Sequence, residues 1–336
     1  MNLLDTPITR RQLLVGGGAA ALGLALSGCA GKRPTSTTSL TLVLDYTPNT
    51  NHTGIYVALD KGYYADEGIA LDVQQPPEDG ADALVGSGLA QLGVSYQDTM
   101  ANYLGSDQTL PVTAIAAVIQ HNTSGIMSRA ADGITRPAAM QGHTYATWGI
   151  DVEQAIVRSV VTTDGGDFSK VSLVPCNTTD EVASLSANEF DTVWVYEAWA
   201  VQNAKVKGFD YGYFSFADID SAFDYYTPVI VANDGFLKAS PDVAKAFLRA
   251  TRKGYEYAAA HPSEAADILV KAVPELDSAL VRKSQEFLAD KYVADASAWG
   301  VIDGSRWDRF YSWLGAEGLT AKAIGSGVGF SGDYLA

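Results

Sequence analysis

The sequence predicts an α/β protein of two lobes with a helical C-terminal segment. Its 336 residues are enough for two ordinary domains. Apolar residues make up 47% and charged residues 18%, which is typical of a chain that folds around a core. Short β-rich runs alternate with helical spacing before the last third of the chain becomes helical, and this alternation indicates the α/β class.

Net charge and cysteine content exclude several classes of function. The chain has 39 acidic and 23 basic residues, a formal charge of −16. We expect no nucleic-acid partner, because phosphate binding needs clustered lysine and arginine. Two cysteines, Cys29 and Cys176, cannot build a disulfide framework or a Cys-rich metal site. The four histidines lack metal-binding spacing, so we expect neither a metal nor a cofactor.

The N-terminus has the pattern of an export signal. The pair Arg10-Arg11 precedes an uncharged apolar run over residues 13–28. That run is shorter than the roughly 20 residues that a membrane-spanning helix needs. It leads into the segment LSGC at 26–29, which resembles the lipid-attachment motif of bacterial lipoproteins. The arginine pair resembles a twin-arginine export signal, although the general secretory route stays open.

We therefore expect a signal peptide over residues 1–28 and a lipidated tether over residues 29–38, with the lipid on Cys29. The tether residues are small and polar, as in a flexible linker. This organisation predicts an extracytoplasmic protein that its lipid anchors to the cell membrane. The fold of the remaining chain is predicted from the strands and helices that follow the tether.

Strands and helices alternate through the first two thirds of the chain. Runs rich in Leu, Val and Ile predict strands, and apolar residues at helical spacing, such as Ile55, Ala58 and Leu59, predict helices between them. The predicted strands lie at 40–44, 70–73, 91–94, 112–119, 143–148, 171–175, 192–195 and 228–232. The predicted helices lie at 54–67, 82–89, 152–163 and 181–187.

The last third of the chain is predicted to be helical. Ser240, Pro241 and Asp242 together indicate a helix start, because they supply an N-cap, a proline in the first turn and an acid at the positive end of the helix dipole. A His-Pro pair at 261–262 ends that helix. Further helices are predicted at 278–291 and 305–314.

Two series of α/β units predict two lobes connected by two crossings of the chain. We expect the first lobe to comprise residues 39–126 plus 228–336, and the second lobe to comprise residues 127–227, inserted into the first. Two crossings between lobes form a hinge, and ligand sites favour the clefts between domains. The sequence therefore predicts a ligand site in the cleft between the lobes.

The most informative segment is LDYTPNTNHTGIYVA at 44–58, which lies where the first predicted strand ends and a helix begins. Ligands of open α/β sheets sit at the carboxyl ends of strands. Asp45 would accept hydrogen bonds there, and Asn51 and His52 add polar groups at the helix start. The alternative is a turn in which Asp45 only caps backbone N–H groups, and spacing alone does not decide between the two.

A second cluster, VWVYEAW at 193–199, follows a strand of the predicted second lobe. Glu197 would face the cleft as a second acceptor, and Trp199 would offer a flat face. Trp148 follows another strand of that lobe and is a similar candidate, while Trp194 is expected to pack inside the lobe. The pair Tyr225-Tyr226 lies near the return crossing.

These residues predict a ligand of a particular chemistry. Two acids, Asp45 and Glu197, suit a ligand that carries hydrogen-bond donors, and the aromatic residues suit a planar ring. An aminopyrimidine meets both conditions. A sulfonate or a nitrate would need arginine, lysine or helix N-termini, and neither cluster contains a basic residue other than histidine.

The segment LDYTPNTNHTGIYVALDKGYYADEGIALDV at 44–73 resembles the opening of substrate-binding proteins that capture thiamine pyrimidine precursors for ABC importers. That family usually has Trp where this chain has Tyr46, and Phe where it has Tyr64. The segments at 83–98 and 233–265 also resemble the family, but relatives that carry sulfonates, taurine or nitrate share them.

The resemblance implies a type II periplasmic-binding-protein fold with a small planar heterocyclic ligand in the interlobe cleft. It implies a lipoprotein that delivers a precursor of the hydroxymethylpyrimidine or formylaminopyrimidine type to an ABC permease, with a separate ATPase subunit. Together with the residue patterns, it predicts twelve ligand-binding residues: Asp45, Tyr46, Asn51, His52, Tyr56, Ser95, Tyr96, Trp148, Glu197, Trp199, Tyr225 and Tyr226.

Two alternatives stay open. The same fold could bind riboflavin or another flat heterocycle, since Tyr46 replaces the family's Trp, or a solute of the sulfonate, taurine or nitrate type. The chain could instead be an exported pyrimidine-salvage enzyme, because the family includes synthases that sacrifice an active-site histidine. Residues 95–99 (SYQDT) contain no histidine, and residues 224–226 replace the synthases' Cys-rich run, so we expect binding without catalysis.

Overall fold

A computed structural model describes residues 37–78, 80–176 and 178–335. The predicted signal peptide, the lipidation site Cys29 and most of the predicted tether lie outside the described residues. Among the helices that are described, none is both long enough and apolar enough to cross a bilayer. Within the same ranges, His, Cys, Asp and Glu side chains form no group of three or more that could hold a metal ion.

Ten strands and twelve α-helices make up the described chain. The strands are β1 (Thr38–Val43), β2 (Ile69–Gln74), β3 (Leu92–Ser95), β4 (Val112–Ala117), β5 (Ser124–Arg129), β6 (Thr144–Thr147), β7 (Ser172–Pro175), β8 (Thr192–Tyr196), β9 (Tyr211–Ser215) and β10 (Val229–Asn233). The helices are α1 (Thr53–Asp60), α2 (Tyr63–Asp66), α3 (Gly80–Gly86), α4 (Gln97–Leu104), α5 (Asp151–Thr163), α6 (Glu181–Ser186), α7 (Gln202–Lys207), α8 (Asp234–Ala239), α9 (Pro241–Ala260), α10 (Pro262–Ala272), α11 (Ser278–Leu288) and α12 (Gly304–Ala316).

The strands form two five-stranded sheets of matching design. The first sheet has the order β2-β1-β3-β10-β4, and the second has the order β7-β6-β8-β5-β9. In each sheet one strand runs antiparallel to both of its neighbours: β10 between β3 and β4, and β5 between β8 and β9. The chain therefore passes from the first sheet to the second after β4 and returns after β9. The predicted α/β class and helical C-terminal segment are confirmed.

Several predicted boundaries need correction. The helix predicted over 54–67 is two helices, because Gly62 adopts a left-handed φ of 75° between them. Strands β5 and β9 were not predicted, since each contains a glycine and few β-branched residues. Because β5 pairs within the second sheet, the predicted lobe boundary at residue 126 falls inside a strand. The lobe boundaries themselves stay a prediction.

Helices α1 and α9 meet at a pair of glycines. A Cβ added to Gly54 would lie 2.2 Å from Cγ of Tyr255, and a Cβ added to Gly254 would lie 2.0 Å from the carbonyl oxygen of Gly54. Both distances are far below van der Waals contact. The glycine that ends the NTNHTG motif at 49–54 is thus required for helix packing, and this packing fixes where α1 begins.

We expect Gly54→Ala to destabilise the protein by at least about 1–3 kcal/mol, the usual cost of overpacking, because the added Cβ meets the Tyr255 ring, which is fully buried and stacked on Trp299. Denaturant unfolding followed by circular dichroism would measure the change. The matched control is Gly315→Ala in α12, where nothing lies within 4 Å of an added Cβ, and stability there should hold or rise slightly. Equal stability of the two variants would contradict the close contact.

Candidate functional site

The candidate site lies where strand ends of the two sheets bring polar residues together. Strands β1 and β3 are parallel neighbours, so Asp45 and Tyr96, which follow them, share one edge of the first sheet. Tyr225 precedes the antiparallel strand β10 and reaches the same edge. Tyr196 ends β8 in the second sheet. With Asp98, these side chains form what we call the acid–tyrosine cluster: Asp45, Tyr96, Asp98, Tyr196 and Tyr225.

Two side chains hold the carboxylate of Asp45. The Nε2 of His52 lies 2.6 Å from Oδ1 of Asp45, and the hydroxyl of Tyr96 donates to Oδ2. The Nδ1 of His52 accepts the backbone N–H of Asn49 at 3.1 Å. Because Nδ1 is an acceptor there, the ring proton sits on Nε2, and His52 donates it to Asp45. The orientation of the carboxylate is therefore set by neighbouring groups on both sides.

Asp45 is buried yet ionised. Its side chain is 3% exposed, and that of His52 is fully buried. Burial raises the pKa of Asp45, but the adjacent His52 ring and the Tyr96 hydroxyl lower it by more, so the net pKa lies below the ordinary value. At neutral pH the residue is therefore a negatively charged acceptor whose position is fixed by His52 and Tyr96.

The turn that follows Asp45 is capped by Asn49 and not by Asp45. Asn49 is the residue that caps the turn at 50–52, since its side chain accepts the backbone N–H of Asn51 at 2.9 Å. Asp45 instead bonds the side chains of His52 and Tyr96. The alternative in which Asp45 only caps backbone groups is wrong.

The Oδ1 atom of Asn51 is buried with no hydrogen-bond partner among the described residues.

Asp98 and two tyrosines complete the cluster. Asp98 lies in the first turn of α4, and the hydroxyl of Tyr225 donates to its Oδ2 at 3.4 Å. Burial raises the pKa of Asp98. Burial and then the charge of Asp98 raise the pKa of both Tyr196 and Tyr225, so each hydroxyl keeps its proton and remains a donor.

An aromatic wall lies beside the cluster. Trp148 follows β6 and is 45% exposed, and its ring centroid is 5.7 Å from that of Trp194. Trp194 in turn meets Phe216 at 4.3 Å, edge to face. Trp194 is buried inside the second sheet's core, as expected, but its Nε1 has no hydrogen-bond partner among the residues described. Tyr46, after β1, is 57% exposed.

Glu197 does not oppose Asp45 in the way the sequence suggested. Trp194 and Tyr196 share one face of β8, whereas Glu197 lies past the end of the strand, at the start of a π-helical turn over Glu197–Val201. The charged groups that act on Glu197 are Lys205, Lys291 and Asp218, and burial raises its pKa. In the described ranges no hydrogen bond or ion pair links Glu197 to Asp45. The charges of Asp98 and Asp45 act on Tyr196, so Tyr196 is the residue of this segment that lies near Asp45, and the ligand contact of Glu197 stays a prediction.

Several other predicted residues have partners away from the cluster. Ser95 donates to Asp82 at 2.7 Å, and the hydroxyl of Tyr226 accepts the backbone N–H of Asp303 at 2.8 Å. Tyr56 and Trp199 pack against a small apolar group on α10 and α11, formed by Ala266, Leu269 and Val281. Their predicted ligand contacts have no support from these positions and stay predictions.

Sequence reasoning missed Asp98, although a usable signal existed. Asp98 follows β3 by three residues, much as Asp45 follows β1 by two, and both strands end at one sheet edge. From the stretch at 95–99 the prediction included Ser95 and Tyr96 as ligand-binding residues but not Asp98. Applying the strand-end rule to it would have found the second acid.

Comparison with known proteins agrees with this geometry. The family model described as "NMT1/THI5 like" matches residues 49–265. The chain is 29% identical over 296 residues to the formylaminopyrimidine-binding protein of Halalkalibacterium halodurans, covering 86% of this chain and 88% of that protein. It is 23% identical over 310 residues to the riboflavin-binding protein RibY of Chloroflexus aurantiacus, covering 88% of this chain and 86% of that one.

An enzyme and a solved structure are also similar. The 4-amino-5-hydroxymethyl-2-methylpyrimidine phosphate synthase of Legionella pneumophila is 26% identical over 281 residues, with coverage of 73% of this chain and 77% of the enzyme. The alkanesulfonate-binding protein SsuA of Xanthomonas axonopodis pv. citri superposes with a TM-score of 0.65 at 8% identity, covering 89% of this chain and 99% of that structure. That likeness shows the type II periplasmic-binding-protein fold. From the family match over residues 49–265, the chain belongs to the NMT1/THI5-like family.

Proposed function

We propose that this chain is the extracytoplasmic solute-binding lipoprotein of an ABC importer, and that it binds an aminopyrimidine precursor of thiamine. The observation that carries the proposal is the Asp45 carboxylate, which is ionised, buried and oriented by His52 and Tyr96 at the ends of parallel strands. The similarity to a formylaminopyrimidine-binding protein supports a ligand of the formylaminopyrimidine or hydroxymethylpyrimidine type.

The chemistry of Asp45 suits this ligand. Each carboxylate oxygen can accept a second hydrogen bond beyond the one from His52 or Tyr96. An exocyclic amino group and an adjacent protonated ring nitrogen form a planar pair of donors that fits a carboxylate. Stacking of the ring against an aromatic side chain such as Trp148 adds about 0.5–1.5 kcal/mol beyond area burial.

The proposal includes the organisation of the chain and its partners. The chain forms two lobes, predicted from the sequence at 39–126 plus 228–336 and at 127–227, with the first crossing moved to a position before β5, and the ligand binds between them. Closure of the lobes presents the loaded protein to a membrane permease, and a separate subunit hydrolyses ATP. Residues 1–28 direct export, and a lipid on Cys29 with the tether at 29–38 holds the protein at the outer face of the cell membrane.

Binding without catalysis is the favoured class. The synthases of the family sacrifice a histidine, and residues 95–99 supply none. His52 is fully buried and bonded through both ring nitrogens, to Asp45 and to the backbone of Asn49. Because synthases are among the relatives, an enzyme is the second candidate. An enzyme would convert the pyrimidine to a product, whereas a binding protein would release it unchanged.

We expect hydroxymethylpyrimidine or formylaminomethylpyrimidine to stabilise the protein, by about 2.7 kcal/mol at 100 times the dissociation constant. Thermal unfolding with each compound measures this, with thiamine, riboflavin and taurine as comparison ligands. A shift with riboflavin alone would support the flat-heterocycle alternative and contradict the pyrimidine assignment. Mass spectrometry of the recovered ligand would contradict a binding role if the pyrimidine were converted to product.

We expect Asp45→Asn to weaken pyrimidine binding by roughly 10- to 150-fold, because a hydrogen bond to a charged group contributes about 1.5–3 kcal/mol. The amide keeps the shape of the side chain and removes its charge. Isothermal titration calorimetry would measure the change. Asp66→Asn on α2, an exposed acid, is the matched control and should bind like the native chain. Unchanged affinity in Asp45→Asn would show that Asp45 does not contact the ligand.

A further inference from the structure

Asp98 has weaker hydrogen bonding than the other acids near the site. Its Oδ1 accepts the backbone N–H of Thr99 at 3.0 Å, and its one side-chain donor, Tyr225, is 3.4 Å from Oδ2, at the weak end of the hydrogen-bond range. Asp45 bonds His52 at 2.6 Å and also accepts from Tyr96. Of the two acids in the acid–tyrosine cluster, Asp98 therefore has the more capacity left for a further donor.

A second observation on the opposite sheet points to the same place. Ser124 begins β5 directly opposite Tyr196, and directly paired residues project from the same face of a sheet. Its Oγ is buried and has no hydrogen-bond partner in the part of the chain that the structure describes. Trp194, two residues before Tyr196 and on that face, has an unpartnered buried Nε1. Tyr196 in turn lies close enough to Asp98 for the charge of that acid to act on it.

Unpaired buried polar atoms are rare in native proteins, because each one loses its hydrogen bonds to water without replacement. Here two of them, on Ser124 and Trp194, lie on the sheet face that carries Tyr196, next to an acid with spare acceptor capacity. Residues with no role beyond packing would not need this arrangement. A planar ligand with polar groups on a second edge of its ring would form hydrogen bonds with the Asp98 carboxylate, the Ser124 hydroxyl and the Trp194 indole N–H.

We infer that Asp98 is a second specificity-determining acid, which accepts a hydrogen bond from the side arm of the pyrimidine while Asp45 takes the donors of the ring. This inference rests on the proposed function and deepens it. It restricts the ligand to planar heterocycles with donors at two edges. The arm would carry a hydroxyl or an amide N–H, and Ser124 and Trp194 would bond its remaining polar atoms.

The test measures the binding of two ligands to the native protein and to variants at two positions. The probes are 4-amino-5-hydroxymethyl-2-methylpyrimidine and 4-amino-2,5-dimethylpyrimidine, which lacks the hydroxyl of the arm. Calorimetry on the full folded chain should show that the native protein prefers the first probe by on the order of tenfold, the value of one hydrogen bond to a charged acceptor. In Asp98→Ala that preference should fall to about one, and in Asp98→Asn it should shrink.

Asp66→Asn on α2 is the control, because Asp66 is exposed and no interaction among the described residues links it to Asp98. It should keep the preference of the native chain. A native protein that prefers neither probe, or an Asp98→Ala or Asp98→Asn variant that keeps the full preference, would overturn the inference and leave the pyrimidine assignment standing. A native protein that binds neither probe, and does not bind formylaminomethylpyrimidine either, would overturn the proposed function and the inference with it. Asp98→Asn keeps the test valid if the alanine variant does not fold.

Discussion

The hydrogen bond from Nε2 of His52 to Asp45 is the interaction on which the site depends. It exists because the backbone N–H of Asn49 occupies the other ring nitrogen and so fixes the tautomer. A buried carboxylate without donors would take up a proton, and the proposed ligand would lose its charged acceptor. The Asn-x-x-His spacing of this loop thus connects the start of a helix to the charge state of the residue that we propose to bind the ligand.

Strand ends made part of the site predictable. Asp45 and Tyr96 follow parallel neighbours, so a rule about sheet edges brings them together from the sequence alone. The same rule could not place Glu197, because whether a residue just past a strand faces one side of the sheet or the other depends on how the chain leaves the strand. Here the strand continues into a turn of π-helix over Glu197–Val201, and Tyr196 is the last residue on the cluster's face.

Strands rich in β-branched residues could be predicted from the sequence. Strands that form only because their neighbours in the sheet support and bury them could not. β10 reads VIVAN and was found within one residue, whereas β5 reads SGIMSR and was missed. β5 has neighbours on both sides, and Gly125 permits a close approach, since a Cβ there would lie 2.2 Å from the carbonyl oxygen of Phe214. Sequence pattern does not record such tertiary support.

The last strand of the first sheet follows all strands of the second sheet in the sequence, and this affects how the nascent chain folds. β4 is made before residue 118, yet the strand that joins it to the first sheet, β10, emerges from the ribosome more than a hundred residues later. A nascent chain that ends between Ala117 and Val229 has β3 and β4 but not the strand between them. The first sheet is therefore complete only after all strands of the second sheet have been synthesised. The two sheets cannot form one after the other in the order of the sequence.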